Sequence, residues 1–282
     1  MYVYTINISM IKFYIHLSLF LFIGNFVFGQ INETNTKPFC IGETHTIKSA
    51  VLKEDRLLNV YLPATFDASK TYPVVYLLDG SAKEDFLHIV GLFQFFNLQF
   101  QLPEFIIVGI ENVDRKRDFT FPTSDTTMKK EIPTSGGSEK FIQFLETEVK
   151  VYVEQKFKTS GKNFIIGQSL GGLLATEILL KKPNLFTHYL IVSPSLWWDN
   201  QSLLKQAPSL LEKQSTNVPY VYVSVGGKEH PVMRKDAKKI YKLLKSSAKI
   251  TKLDFLELRK ETHASILHQS INEALKLLQK EK

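Results

Sequence analysis

A serine lies at the centre of the hexapeptide GQSLGG, residues 167–172, which has the spacing G-x-S-x-G. The segment NFII, residues 163–166, precedes it, and the helical sequence LLATEILLKK follows it. A serine on a tight turn between strand and helix is typical of a nucleophile, because it projects above the sheet and faces the N–H groups that open the helix. Glycines are expected beside it where a side chain would strike neighbouring backbone. We interpret Ser169 as a nucleophile, and a turn serine without a catalytic role is the alternative.

Histidines that follow Ser169 are the candidate bases. A serine hydroxyl is a poor nucleophile at neutral pH unless a base accepts its proton and an acid orients that base. In strand–turn–helix hydrolases the chain order is Ser, acid, His. His263 lies between the last predicted strand and the last predicted helix, where the base belongs. The other candidates fit less well. His188 begins a predicted strand, at the end that lies far from Ser169, His268 lies within a predicted helix, and His230 adjoins the candidate acid.

The acid is expected in the loop that follows the strand YVYVSV. That loop reads GGKEHP, residues 226–231, and contains Glu229. Three alternatives stay open. Asp199, after the loop SPSLWW at 193–198, is a second candidate acid. A Ser–His dyad without a strong acid is another possibility, and Glu229 could instead be a favourable charge at a helix N-terminus.

Two backbone N–H groups are needed to stabilise the oxyanion of a tetrahedral intermediate. The residue after the nucleophile, Leu170, supplies one of them in this arrangement. The other is expected from the loop that follows the strand ending YLL, residues 78–81. Gly80 allows a sharp bend there, and we favour the N–H of Ser81.

The segments around these residues predict a parallel sheet. Short apolar runs without a polar face suit a sheet that is covered by helices on both sides. They lie at residues 73–78, 104–110, 163–167, 188–193, 220–225 and 253–258, after a predicted strand pair at 46–52 and 57–62 with a turn at 53–55. Helical periodicity falls at residues 138–157, 170–181, 232–245 and 264–279. This alternation predicts a doubly wound α/β sheet with its ligands at the carboxyl ends of the strands.

Hydrophobic residues are concentrated near the N-terminus. Residues 13–28 form an almost uncharged apolar run that follows Lys12. At about 16 residues this run is shorter than the roughly 20 needed to span a bilayer. We therefore favour a cleaved signal peptide over residues 1–29, with the cut before Gln30, rather than a membrane anchor. Residues 30–282 are then expected to form one exported domain, periplasmic or secreted.

Composition excludes several classes of protein. With 44% hydrophobic and 22% charged residues, the chain is neither disordered nor fibrous. The formal net charge of +7 comes from scattered basic residues, with no basic run interleaved with aromatics, which argues against a nucleic-acid partner. The single Cys40 excludes an intramolecular disulfide framework and a Cys-rich metal site. No metalloprotease, phosphate-binding or dinucleotide motif is present, so the sequence implies neither a metal nor an organic cofactor.

Several motifs taken in order resemble the esterase D and enterochelin-esterase-like esterases of the α/β-hydrolase superfamily, over about residues 45–279. They are YLLDG at 76–80, VGIEN at 108–112, RKRDFTFP at 115–122, the glycine pair at 136–137, GQSLGG at 167–172, SPSLWW at 193–198, Glu229 and His263. The resemblance implies an α/β-hydrolase fold with a mostly parallel eight-stranded sheet, helices on both faces, and cleavage of carboxylic esters. It also implies that Glu229 is the acid and that Ser81 supplies the second oxyanion donor.

The same resemblance implies that the segment at 115–122 folds over the site. Arg115 and Arg117 would then meet an anionic substrate, and the alternative is a structural ion pair with Asp118. Two tryptophans either wall a pocket for an aromatic group or sugar or pack in the core. The further candidate substrate-binding residues are Asp79, Trp197 and Trp198.

The leading hypothesis is an exported serine hydrolase that cleaves carboxylic esters through an acyl-enzyme. The substrate is expected to be a small-molecule or glycan-linked ester, with siderophore and polysaccharide esters both open. An acyltransferase of the same fold and a catalytically silent ligand-binding protein are the alternatives. Stable membrane insertion is not expected after cleavage of the signal peptide.

Overall fold

The computed structural model describes Met1, residues 8–13, His16 and residues 35–280. The chain divides into two compact units, Met1–Cys40 and Ile41–Lys282. Apart from Phe13 and His16, the apolar run at 13–28 lies outside the described residues, as does the expected cleavage point, so the signal peptide and the single domain over 30–282 stay predictions. None of the helices among the described residues has both the length and the apolar character needed to cross a bilayer.

Within residues 41–280, eight strands form one sheet with the spatial order β1-β2-β4-β3-β5-β6-β7-β8. The first two strands pair antiparallel, β2 pairs antiparallel with β4, and the remaining pairs are parallel. The strands are β1 (Glu43–Ser49), β2 (Glu54–Tyr61), β3 (Tyr72–Leu77), β4 (Ile106–Ile110), β5 (Thr159–Gln168), β6 (His188–Val192), β7 (Val218–Gly226) and β8 (Ile250–Leu258). The predicted, mostly parallel eight-stranded α/β sheet is confirmed.

Helices cover both faces of this sheet. The helices are α1 (Phe86–Phe100), α2 (Arg115–Asp118), α3 (Thr126–Glu131), α4 (Ser138–Phe144), α5 (Lys150–Lys156), α6 (Leu170–Lys181), α7 (Trp198–Glu212), α8 (Pro231–Ser247) and α9 (Ile266–Gln279). A π-helical turn joins α4 to α5. Buried side chains from α4 to α8 form one core cluster, and those from α1 and α9 form a second cluster on the other face. The central strands are apolar on both sides because each side is buried.

Helices α1 and α7 are not among the helices predicted from the sequence, and the first hairpin turns at a different place from the predicted one. Helix α1, with the sequence FLHIVGLFQFFNLQF, carries apolar residues almost all round, so periodicity gives no signal for it. It buries Ile89 and Phe93 while Leu98 is exposed. The first hairpin turns at residues 50–53 instead of 53–55, because Lys53 adopts a left-handed φ of 58° and its N–H donates to Ser49 O.

Parallel pairing brings the carboxyl ends of several strands to one edge of the sheet. Leu77 at the end of β3 pairs with Ile166 near the end of β5, and Val192 at the end of β6 pairs with Gln168. Gly226 at the end of β7 pairs with the last residue of β8. The loops that follow β3, β5, β7 and β8 therefore meet at this edge, and these loops contain the candidate nucleophile, acid, base and oxyanion donors.

Candidate active site

Ser169 occupies a strained turn between β5 and α6. Its backbone has φ 59° and ψ −117°, a conformation that costs a non-glycine residue on the order of 1–3 kcal/mol. Hydrogen bonds to the surrounding backbone hold it there: its N–H donates to Val192 O at 3.1 Å, and its carbonyl accepts from Leu173 N at 2.9 Å and Ser195 N at 3.0 Å. The turn therefore presents the Ser169 side chain at the carboxyl edge of the sheet.

The glycines of the motif have different physical roles. A Cβ on Gly167 would lie 2.4 Å from Gly171 O, and one on Gly172 would lie 2.9 Å from Val192 O, so both positions exclude a side chain. A Cβ on Gly171 would make only ordinary contacts, the nearest of them at 3.5 Å. The expectation that both glycines beside Ser169 exclude a side chain is therefore wrong for Gly171. Gly167 and Gly172 have no room for a side chain because the first lies against the backbone of the serine turn and the second against the end of β6.

Glu229 and His263 form a hydrogen-bonded acid–base pair. The Nδ1 atom of His263 lies 2.9 Å from Glu229 Oε2, and the Glu229 side chain has no solvent exposure whereas the His263 side chain is 45% exposed. The other carboxylate oxygen, Oε1, accepts from Ser193 Oγ and from Gly226 N at 2.8 Å. Burial alone would raise the pKa of Glu229, but hydrogen bonds from His263, Ser193 and Gly226 outweigh it and lower the pKa.

Two adjacent loops carry this pair. Glu229 lies in the short loop between β7 and α8, and His263 lies in the loop between β8 and α9. The loops are joined by backbone hydrogen bonds from Gly227 N to Leu258 O at 2.8 Å and from Lys228 N to Glu261 O at 3.0 Å. This pairing of loops aligns the carboxylate with the imidazole, as the base-orienting role requires.

Two side chains that the sequence analysis did not single out link the serine turn to its surroundings. Gln168 donates through Nε2 to His263 O at 2.5 Å, which ties the nucleophile turn to the histidine loop. The Ser169 hydroxyl lies 3.3 Å from Ser195 Oγ. Among the described residues no hydrogen bond joins Ser169 Oγ to His263, and such catalytic bonds often form only when substrate is bound. Gln168 lies in the motif GQSLGG and Ser195 in SPSLWW, but the partners of their side chains depend on the tertiary structure.

The candidate oxyanion donors lie on two loops. Leu170 opens α6, so its N–H belongs to the first turn and has no partner within the helix. The N–H of Gly80 is used by Ile110 O at 3.0 Å, which leaves the next amide, that of Ser81, directed to a side chain. Ser81 N donates to the exposed Glu84 carboxylate at 3.4 Å, a long hydrogen bond. A ligand could thus displace the exposed Glu84 carboxylate from Ser81 N–H, whereas Gly80 N–H is occupied by a backbone hydrogen bond to the end of β4.

Asp199 makes its hydrogen bonds elsewhere and, among the described residues, makes none to His263. Its Oδ1 accepts from Thr123 Oγ1 at 2.8 Å and from Ser124 N at 2.7 Å, which joins the start of α7 to the segment after α2. Burial would raise its pKa, but hydrogen bonds from Ser202, Ser124 and Thr123 lower it to about 2. Asp199 is therefore a structural carboxylate in this fold.

The two tryptophans divide between core and surface. Trp198 is fully buried, and its Nε1 donates to Phe121 O at 2.9 Å, so it cannot wall a substrate pocket. Its candidate role in substrate binding is corrected to core packing. Trp197 is half-buried and packs edge-on against Trp198, with ring centroids 6.3 Å apart.

The arginines after β4 are both engaged by carboxylates. Arg117 donates to Asp118 Oδ1 at 2.7 Å and pairs with Glu54 at 2.5 Å, which is the structural alternative stated for it. Arg115 instead donates to both oxygens of Asp79, at 2.6 and 2.8 Å. Asp79 is itself only 6% exposed, so both groups of this pair are committed to each other before any substrate arrives.

The remaining histidines lie outside this arrangement. His188 stacks on Phe164 at 4.0 Å between ring centroids, and burial lowers its pKa to about 4. His230 accepts from Val232 N at the start of α8, and His268 lies against His88. In the part of the chain that the structure describes, no group of three or more His, Cys, Asp or Glu side chains has the arrangement of a metal site.

Comparison with known proteins identifies the family. The family model described as Putative esterase matches residues 49–266. The chain belongs to this esterase family. The ferri-bacillibactin esterase BesA of Bacillus subtilis (strain 168) is 29% identical in an alignment of 275 residues that covers 88% of this chain and 93% of BesA. A siderophore enterobactin esterase of Emericella nidulans is 28% identical over 171 residues, 51% of this chain and 56% of that protein.

Solved structures of esterases share the fold. An IroE-like serine hydrolase from Shewanella oneidensis superposes with a TM-score of 0.76 at 27% identity, over 85% of this chain and 80% of its own. The BES protein from Bacillus cereus superposes with a TM-score of 0.75 at 26% identity, over 88% and 98% of the two chains. The esterase is thus an α/β-hydrolase and a carboxylic ester hydrolase, in agreement with the resemblance seen in its motifs.

Proposed function

We propose that this esterase hydrolyses ester bonds of siderophores, with Ser169 as nucleophile, His263 as base and Glu229 as the acid that orients it. The observation that carries the proposal is the 2.9 Å hydrogen bond between the buried Glu229 carboxylate and His263, on the loops beside the strained serine turn. A carboxylate that holds Nδ1–H leaves the other ring nitrogen, Nε2, free to accept a proton. That is the protonation state a serine hydrolase requires.

Each chemical step uses a group at this edge of the sheet. Ser169 Oγ attacks the ester carbonyl carbon while His263 Nε2 takes the hydroxyl proton, and the carbonyl oxygen becomes an oxyanion. The N–H groups of Leu170 and Ser81 stabilise that oxyanion once it displaces the Glu84 carboxylate from Ser81. The tetrahedral intermediate collapses, the C–O bond breaks, and His263 gives its proton to the leaving alcohol. Water, deprotonated by the same nitrogen, then attacks the acyl-enzyme and releases the carboxylic acid.

Two observations support a siderophore as the substrate class. Relatives of this chain include esterases of ferri-bacillibactin, enterobactin and triacetylfusarinine C. In addition, the loops around the acid–base pair carry three exposed cations, Lys228, Arg259 and Lys260. Cations around a site attract anionic ligands, and iron-loaded catecholates are anionic. The positive charge that faces the ligand is therefore expected on these loops, rather than on Arg115 and Arg117.

Export of the esterase is part of the same proposal. Its support is the apolar run at 13–28 after Lys12, followed by the small residue Gly29 at the expected cut. An exported enzyme would meet the siderophore outside the cytoplasm. Fractionation of expressing cells, followed by determination of the N-terminal residue of the mature protein, tests this part separately, and we expect Gln30.

The catalytic part is tested with purified protein and its Ser169→Ala variant. The wild type is expected to hydrolyse p-nitrophenyl acetate and to release monomer units from ferric bacillibactin or enterobactin, measured by chromatography. Ser169→Ala is expected to lose both activities while keeping its thermal unfolding transition. Full activity in the variant would eliminate Ser169 as nucleophile. Hydrolysis of simple esters without release from any siderophore would overturn the proposed substrate class alone.

A further inference from the structure

The side chain of Arg115 joins the two loops that supply the candidate oxyanion donors. Its Nε donates to Asp79 Oδ1 at 2.6 Å, and one Nη donates both to Asp79 Oδ2 at 2.8 Å and to Gln168 O at 3.3 Å. Asp79 lies two residues before Ser81, and Gln168 lies two residues before Leu170. One guanidinium therefore contacts the segment leading into each donor.

Asp79 is held in a left-handed conformation that most residues with a side chain avoid. Its φ is 55°, in the left-handed region that a residue with a side chain occupies at a cost. Besides Arg115, Asn112 Nδ2 donates to Asp79 Oδ1 at 2.6 Å, and the carbonyl of Asp79 accepts from Asp85 N at 3.1 Å. These bonds determine the direction in which the chain leaves Asp79, and hence where the N–H of Ser81 points.

The residue after Asp79, Gly80, is packed so closely that a small shift of Asp79 would change the direction of the Ser81 N–H. A Cβ on Gly80 would lie 2.3 Å from Gly109 Cα, so the loop packs directly against the backbone of β4. The N–H of Ser81 itself makes only the long 3.4 Å bond to Glu84, while its carbonyl accepts from Glu84 N at 3.1 Å and from Phe86 N at 3.4 Å. The Asp79 carboxylate, through Arg115, is the group that links this loop to the backbone of the serine turn.

Arg115 is poorly placed to bind substrate itself. Its fork is occupied by a carboxylate and a carbonyl, its guanidinium lies over the Phe119 ring at 5.4 Å from the centroid, and the side chain is 32% exposed. Burial would lower the pKa of Arg115, but the hydrogen bond and charge of Asp79 outweigh it and raise the pKa, so the guanidinium stays charged. A bidentate arginine–carboxylate pair fixes geometry as well as charge.

We infer that Arg115 is a positioning residue that braces the Asp79–Ser81 loop against the nucleophile turn and so sets the separation of the Leu170 and Ser81 N–H groups. The inference rests on the proposed function, because it assigns those two groups to the oxyanion. Arg117 provides a matched control, since it is an equally exposed arginine two residues away that binds Glu54 and Asp118 instead.

The kinetic test compares Arg115→Gln and Arg117→Gln on a neutral ester, p-nitrophenyl acetate, and on an anionic ester of the same acyl group. Loss of one oxyanion donor costs about 10²–10³ in kcat, so Arg115→Gln is expected to lower kcat by about 100-fold on both esters with little change in KM. Arg115→Lys, which cannot form the two-pronged pair, is expected to recover only part of the rate. Arg117→Gln is expected to keep kcat within about threefold on both esters.

Asp79→Asn supplies a second arm, because removing either partner breaks the same brace. The double variant is expected to be little slower than either single variant, as for two groups that act as one unit. An increase of KM restricted to the anionic ester in Arg115→Gln would show substrate binding and overturn the inference. Unchanged kcat in a folded Arg115→Gln protein would overturn it as well.

A measurement without turnover separates this inference from the proposed function. Amide hydrogen exchange in Arg115→Gln is expected to be about tenfold faster in the peptides covering 78–86 and 167–172 together, and unchanged there in Arg117→Gln. If the wild type hydrolyses no ester but this joint effect appears, the brace stands and the proposed chemistry fails. Exchange that stays at the wild-type rate in both peptides would refute the brace whatever the catalytic result.

Discussion

Replacing Glu229 with glutamine is the sharpest single test of the acid–base pair. The carboxylate has two differently engaged oxygens: Oε1 accepts from Ser193 Oγ and Gly226 N, and Oε2 accepts from His263 Nδ1. In Glu229→Gln the amide oxygen should take the Oε1 position, because an NH₂ group there would face two donors. The NH₂ group then lies against His263 Nδ1.

The consequence is a change of tautomer. An NH₂ donor opposite Nδ1 favours the imidazole with its proton on Nε2, and that nitrogen can no longer accept the proton of Ser169. Replacing the triad aspartate of a serine protease with asparagine, the corresponding change of acid to amide, lowers kcat by about 10⁴. We expect a loss of about 10³–10⁴ here, or about 4–5.5 kcal/mol in activation free energy. KM should change little, because Glu229 is buried and does not reach substrate.

The assay is steady-state hydrolysis of p-nitrophenyl acetate at pH 7.5, with thermal unfolding measured on the same samples. Glu257→Gln is the matched control, because that glutamate binds Arg234 and Lys238 on the surface of β8. Asp199→Asn tests the rival acid and is expected to keep kcat within about threefold. Activity within tenfold of wild type in a folded Glu229→Gln protein would refute the assignment, and an equal loss in Asp199→Asn would transfer the role to Asp199.

Two further predictions concern stability. Gly167→Ala should destabilise the protein by more than about 2 kcal/mol and abolish activity, because its Cβ would lie 2.4 Å from Gly171 O. Gly171→Ala should lower the free energy of unfolding by less than about 1 kcal/mol, because its Cβ would make only ordinary contacts. Equal denaturation midpoints for the two variants would contradict this prediction. For His188, a folded-state pKa of about 4 against an ordinary 6.5 means that the unfolded chain binds the proton more tightly, so stability falls as pH drops from 6.5 to 4, by about 3 kcal/mol in total. His188→Gln should remove that part of the pH dependence in denaturant titrations, and an identical slope in His188→Gln would show that the imidazole is not buried in its neutral form.

Features that depend on neighbours in the chain could be predicted from the sequence. The turn at Ser169 follows from glycine spacing between an apolar run and a helical run, and the parallel sheet follows from strands without a polar face. The chain order of serine, acid and histidine, with the loop placement of Glu229 and His263, follows from the same elements. Helix α1 escaped because its apolar residues lie almost all round, so no 3.6-residue pattern distinguishes it from a buried strand.

Partner choice among charged and aromatic side chains was decided only by the tertiary structure. From the sequence, an ion pair with Asp118 was the structural alternative for both arginines. In the structure Arg115 binds Asp79, 36 residues away, and Arg117 also binds Glu54, 63 residues away. Likewise, the adjacent Trp197 and Trp198 are alike in sequence, and only Trp198 is buried. Local spacing determines turns and periodicity because these arise from bonds between near neighbours in the chain. Ion pairs and burial depend instead on the register of strands that meet across the sheet, and a linear pattern carries no record of that register.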